Sequence, residues 1–187
     1  MEPLPGLDFT AIDFEAANSD RSSACAVGVT TVCDGLITAT ESWLIRPHTG
    51  PESFDKYAIR VHGITPDMTA DAPSLEESMH KLASLIGDGP VLAHNISYDA
   101  GVLRRSFTIA GLPQPRNEFR CTETLSRTTL QLGKHKLHLV AEHLGLPSFA
   151  QHDAGDDALT CARIAVEIGR RRGATSITNL YRGLGIG

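Results

Sequence analysis

The sequence has no apolar run long enough to span a bilayer and no charged-then-apolar leader at its start. Neither a membrane span nor a secretory signal is therefore expected. It has no C-x-x-C pair: Cys25, Cys33, Cys121 and Cys161 stand far apart. That speaks against a disulfide framework or a zinc site, and for small buried thiols in a reducing compartment, the cytoplasm. Internal repeats, low-complexity segments and interdomain linkers are absent, and 187 residues suit one domain with a sizeable core. Positive charge is not in excess either. The formal net charge of −5 at first argues against a nucleic-acid partner, but acids gathered at one metal site would undo that argument, because bound cations reverse the local field. The one basic run, Arg170 to Arg172, suits the C-terminus of a solvated helix.

What is present is ordered. Residues 7–15, 24–32 and 36–45 carry strand patterns, and the short Cys33-Asp34-Gly35 link between the last two suits a tight hairpin with Gly35 at positive φ. Beyond them strands and helices alternate. Leu75, Met79, Leu82 and Ile86 recur at helical spacing behind a Ser74/Glu77 capping box. Residues 90–95 form a short buried strand, 97–111 a helix closed by Gly111, and 119–124 a further short strand leading into a helix through Leu132. Helices are also expected over 137–145 and 156–172. The Gly-rich tail, 173–187, is expected to be loosely held behind a domain at 1–172. A hairpin followed by strand–helix alternation predicts an α/β fold, a mixed sheet flanked by α-helices.

Acids break the pattern in three places. In "AIDFEAAN" an apolar strand ends with Asp13 and Glu15. Residues two apart in a strand share a face, so the two carboxylates repel unless a proton or cation lies between them. In "HNISYD", Asp99 opens the helical face that continues through Leu103, Ser106 and Phe107, while Arg104 and Arg105 point out; an acid atop an inward face is costly unless paired or metal-bound. In "HDAGDD", His152 lies in a loop and Asp157 enters the last long helix. A fourth stretch, "VHGIT", puts His62 and Gly63 between the front and rear halves. Singly each has a plain structural explanation: a dipole-favoured acid, a surface histidine, a turn capped by Thr65. Together they place four carboxylates and a histidine at strand ends and helix starts, where open α/β sheets put their sites. The helix after Asp157 distinguishes its neighbours. From Asp157 the shared face runs through Cys161, Ile164, Ala165 and Ile168, whereas from Asp156 it runs through Thr160, Arg163, Glu167 and Arg170. The first face should pack on the sheet and the second should meet water.

In this order, D-x-E, the acid of "HNISYD" and H-x-A-x-x-D resemble the three motifs of the DEDDh, or DnaQ-like, 3′–5′ exonucleases, the group that includes the proofreading epsilon subunit of bacterial DNA polymerase III. "VHGIT" resembles a segment found between the first and second motifs. The likeness runs from about residue 7 to 170. It implies an RNase H-like fold with a mixed five-stranded sheet. It also implies a stand-alone, cytoplasmic nuclease domain that cuts single-stranded DNA from the 3′ end, with polymerase or repair proteins as partners and no membrane. Asp13, Glu15, Asp99 and Asp157 would hold two Mg²⁺ or Mn²⁺ ions, since oxygen ligands favour these over zinc. His152, with a reference pKa of about 6.5, would be the general base. His62, Tyr98 and the backbone near Phe14 and Ala16 would hold the last nucleotide. Ala16, Ala17 and Asn18 stand where many members have Thr-Thr-Gly, which removes a hydroxyl from that pocket. An RNase T-like or oligoribonuclease-like RNA exonuclease would carry the same five residues, and a non-catalytic binding module the same fold. A metallohydrolase built on His135 and His138 is disfavoured, because no acid is spaced to complete its site.

Overall fold

A computed structural model describes residues 2–186. Strands β1 (Phe9–Ala16), β2 (Ala24–Cys33) and β3 (Leu36–Leu44) form an antiparallel meander. Strands β4 (Val91–Ala93) and β5 (Phe119–Cys121) run parallel to β1, so the sheet order is β3-β2-β1-β4-β5. This is the expected mixed five-stranded sheet with flanking helices. The β2–β3 hairpin closes through Asp34 (φ 49°) and Gly35 (φ 68°), both left-handed, as a two-residue turn between right-twisted strands requires.

Among the described residues there are eight helices, α1 (Lys56–His62), α2 (Pro66–Thr69), α3 (Leu75–Ile86), α4 (Ile96–Ile109), α5 (Thr122–Thr129), α6 (Leu137–Leu144), α7 (Ala154–Arg172) and α8 (Ile177–Gly183), with a 3₁₀ turn at Pro51–Ser53. Two apolar layers result. Ile12, Phe14, Val27 and Val29 meet Met79 and Leu82 of α3 and Val102 and Leu103 of α4. On the other face Phe9, Ala11 and Leu92 meet Leu125, Val140, Ile164 and Ile168 of α5, α6 and α7. Burying one such Leu or Ile contributes about 1.5–3 kcal/mol, so these layers fix where the helices sit. The capping box starts α3 as expected.

Several expectations need correction. The tail is not loosely held. Ser176 caps α8, and Ile177, Leu180 and Tyr181 are buried in the α7-side core. These three have the i, i+3, i+4 spacing of one helical face, which the surrounding glycines obscured. The helix after β5 stops at Thr129 rather than Leu132, its last turn weakened where Thr128 and Thr129 bond back to Thr124 and Leu125 carbonyls. The short helices α1 and α2 were not expected; α1 buries no residue, so it carries no apolar period, and its start and stop are set by the Asp55 side chain and left-handed Gly63. Of the cysteines, Cys25 and Cys161 are buried, whereas Cys33 is exposed and Cys121 half-buried. The proposed wet face of α7 is also drier than expected. Arg163, Glu167 and Arg170 are partly exposed, but Thr160 is buried, because α5, α6 and α8 cover the helix from outside while the sheet covers it from within.

Candidate active site

Alternation along β1 places the first two acids. Phe9 and Ala11 face the α7 layer, and Asp13 and Glu15 continue on that side. The second acid motif arrives from the other layer. Thr10 donates its backbone N–H toward β4, to Pro90, and the N–H of Phe14, four residues on, points the same way. By then β4 has ended at Ala93. Asp99, in the first turn of α4, fills the gap: its Oδ1 accepts the Phe14 N–H at 3.0 Å. The carboxylate thus substitutes for the strand that is no longer there, and Asp99 is buried.

The third motif lies at the start of α7. Asp153 is the N-cap, accepting from the Asp156 N–H at 3.0 Å. Asp156 turns away and accepts from the Ala150 N–H at 3.0 Å. Asp157 turns inward. Its Oδ2 accepts the backbone N–H of His152 at 3.1 Å, and its Oδ1 is buried with no hydrogen-bond partner. His152 itself is exposed and holds a left-handed backbone, φ 63°, a conformation that costs a non-glycine residue free energy and persists only where neighbours enforce it. Here the Asp157 carboxylate is the enforcing group.

Glu15, His152 and Asp157 can offer ligand atoms within 4.8 Å of one another. The electrostatics show what such crowding does without a cation. Burial first, then Asp99, Asp157 and Glu15, raise the Asp13 carboxyl far above its ordinary range. Burial and then Asp157 and Asp99 push Glu15 up to about 8. Burial pushes Asp99 to about 7 against the opposing Phe14 hydrogen bond, and Asp157 to about 6 against the His152 one. Divalent cations relieve all four at once. The donor set, rich in carboxylate oxygen with one imidazole beside it and an unpartnered Oδ1 aimed inward, fits Mg²⁺ or Mn²⁺.

The residues assigned to the last nucleotide are placed less simply. His62 Nε2 donates to the Ala16 carbonyl at 3.1 Å and Nδ1 accepts from the Ile64 N–H at 3.0 Å. Its ring is therefore a neutral Nε2–H tautomer, and burial lowers its pKa further. It has a ring face to offer a ligand, not a free nitrogen. The Phe14 N–H and Ala16 carbonyl are likewise engaged internally. Tyr98 is half-buried against the α4-side core, and burial, then Asp99, pushes its phenol up to about 12.

One residue that positions the site went unnoticed in the sequence. Gly28 of β2 lies opposite Asp13. A Cβ there would stand 1.8 Å from the Ala154 carbonyl oxygen and 2.6 Å from the Gly155 nitrogen. Only a residue without a side chain lets the start of α7, with Asp157 on it, descend onto the sheet beside Asp13. The signal available was a lone glycine inside a strand pattern, which often marks close backbone approach.

Residues 10–165 match the exonuclease family RNase_T. The chain is 28% identical over 180 residues to the DNA polymerase III PolC-type of Thermotoga maritima, a match covering 93% of this chain and 13% of that one. The chain thus spans about an eighth of that relative's length. Among solved structures it resembles exonuclease X in complex with 5′ overhanging duplex DNA, with a TM-score of 0.72, 25% identity, and coverage of 88% of this chain and 92% of that one. It also shares the fold of Escherichia coli exonuclease I in complex with a dA16 oligonucleotide, with a TM-score of 0.77, 14% identity, and coverage of 95% and 42%.

Proposed function

The chain belongs to the RNase_T exonuclease family, and from that premise we propose that it is a metal-dependent 3′–5′ exonuclease that releases nucleoside 5′-monophosphates from the 3′ end of single-stranded DNA. The observation that carries this reading is the convergence of Asp13, Glu15, Asp99 and Asp157, all four with raised carboxyl pKa values and with Asp157 Oδ1 left unpartnered. These residues would hold two Mg²⁺ or Mn²⁺ ions, which when bound supply charge neutralisation at the phosphodiester and a more acidic water. Asp13, whose carboxyl feels the other three acids, would contribute to both ions, and Glu15 and Asp157 would complete the water side. His152, exposed at the rim and oriented by its own backbone bond to Asp157, takes the proton from the attacking water. His62, Tyr98 and the Phe14–Ala16 strand end bound the terminal nucleotide, His62 by its ring face. Four unpaired cysteines suit the reducing cytoplasm, and the likeness to a stretch of a PolC-type polymerase makes a replicative or repair polymerase a partner to test by co-purification.

The test is a digest of 3′-labelled and 5′-labelled DNA oligomers, with matched RNA, under Mg²⁺, Mn²⁺ or EDTA. Immediate release of labelled mononucleotide from the 3′ end, abolished by EDTA, is expected. Activity in excess EDTA, or degradation that starts at the 5′ end, overturns the reading.

A further inference from the structure

Two grooves open on either side of His152. One, about 440 Å³, includes His62, Trp43 and Met68 and adjoins the assigned terminal-nucleotide side. The other, about 340 Å³, has His152 and Asp157 in its wall and continues past Lys136, His138 and Phe149. We infer that this second groove holds the substrate strand immediately 5′ of the scissile bond, with the penultimate base on Phe149 and the next phosphate at Lys136. The inference rests on the 3′–5′ exonuclease reading.

Continuity is the first argument. The groove shares His152 and Asp157 with the proposed catalytic cluster, and His152 also lines the His62 groove, so a strand whose 3′ end lies on the His62 side passes from the cluster directly into it. Charge is the second. Lys136 is exposed at the groove, with His138 beside it. Of the two carboxylates in the wall, Asp157 belongs to the acid cluster assigned to metal, and Glu123 is already bound to Arg127. Beyond the acid cluster itself, a polyanion entering meets the exposed Lys136 and no unpaired carboxylate of the groove wall.

The third argument is that the wall is built. His94 follows β4 directly. Its Nε2 donates to the His135 carbonyl at 2.7 Å and its Nδ1 meets Thr122 Oγ1 at 2.9 Å. The buried His135 ring in turn bonds Ser126 Oγ at 2.9 Å and the Leu132 carbonyl at 3.1 Å. Two histidines thus clamp the loop that presents Lys136 to the C-terminal ends of β4 and β5. Nothing in the hydrolytic step uses either of them. Phe149, half-buried against the α7-side core, is the one phenyl ring in the wall, and base–aromatic stacking tolerates any sequence.

Substrate length separates the contacts. Dithymidylate has a penultimate base but no further phosphate; trithymidylate adds that phosphate. In the full-length chain with Mg²⁺, kcat/KM should rise by about tenfold from the dimer to the trimer, the worth of one charge-assisted hydrogen bond. Lys136→Gln should erase most of this rise and make the salt dependence shallower by about 0.7 in log–log slope. Phe149→Leu keeps an apolar group against the core and should raise KM about fivefold on both lengths. An unchanged dimer-to-trimer ratio and salt slope in Lys136→Gln, with wild-type enzyme cutting both substrates from the 3′ end, overturns the groove assignment alone. A wild-type enzyme that cuts neither overturns the exonuclease reading and the groove with it.

Discussion

Helices α4 and α7 bring their acids to one place from opposite layers of the sheet, and they hold them differently. Each is preceded by a non-glycine residue in left-handed conformation, Asn95 (φ 79°) and His152 (φ 63°), because the chain must turn sharply from a strand or loop into the helix. Each uses one carboxylate oxygen to accept a backbone N–H. The difference lies in what is held. Asp99 is fixed to Phe14, a residue of the central strand in the core; α4 has no side-chain cap and relies on that anchor. Asp157 holds His152, in an exposed loop, and α7 has its own cap in Asp153. One acid is part of the scaffold, while the other holds an exposed loop residue. A site assembled this way has one half tied to the core and one half carried by an exposed loop, and His152, the proposed general base, belongs to the loop half.

The comparison fails if the two acids prove equivalent in stability. Asp99→Ala and Asp157→Ala should both abolish turnover. Asp99→Ala should also cost about 1–3 kcal/mol in metal-free urea melts, since it strands the buried Phe14 N–H; Asp157→Ala should cost less, because water can reach the His152 N–H. Equal losses would erase the distinction. Asp13→Ala provides the control. It should be as inactive as either, yet melt at the same temperature as wild type or higher without metal, since removing it relieves like-charge repulsion. A large drop would give Asp13 a structural role.

His152→Ala should slow turnover by about 10²–10⁴-fold, the usual worth of a general base. Its ring also lies within ligand distance of Glu15 and Asp157, so Mn²⁺ calorimetry sharpens the picture: unchanged affinity keeps it a base, and lost affinity makes it a ligand.

A smaller effect follows from the raised carboxyl pKa values. Glu15 at about 8, Asp99 at about 7 and Asp157 at about 6 lie above their unfolded values, so the metal-free native state binds more protons than the unfolded chain. The stability they contribute is fully present below about pH 4 and is lost as pH rises through 6 to 8. The melting temperature in EDTA should fall across that window, less steeply in Glu15→Gln, and saturating Mg²⁺ should remove the fall. A flat profile in wild type would mean the cluster is already relieved from within. The smallest effect is expected next to the site. Asp156→Asn should keep most activity and lose only slight stability, because its carboxylate serves the Ala150 N–H. If it proves as inactive as Asp157→Asn, the two neighbours have been assigned in the wrong order.

The elements legible in the sequence were those that bury a regular stripe. β1, α3, α4 and α7 announce themselves by spacing, and with them the places of Asp13, Glu15, Asp99 and Asp157. α1 was not legible because it buries nothing, and α8 because glycines flank a stripe only three residues long. The burial of Thr160 depends on α5, α6 and α8 closing over α7 from a distance in sequence. Hydrogen bonds such as Phe14–Asp99 and His62–Ala16 link residues 85 and 46 positions apart, and no local pattern encodes them. The inward-turned Asp157 was found by helical spacing, but that its second oxygen restrains His152 was not.

Gly28 is a geometric weak point of the acid cluster. One added methyl group at that position touches no charge, no ligand atom and no base, yet it forces the Ala154 carbonyl away from β2 and carries Asp157 with it. A Gly28→Ala protein would therefore retain every functional group of the site while holding them out of register. On the proposed exonuclease reading, that is the specification for a substrate trap: a chain that keeps its full complement of acids for holding a 3′ end and does not let the two halves of the proposed centre meet.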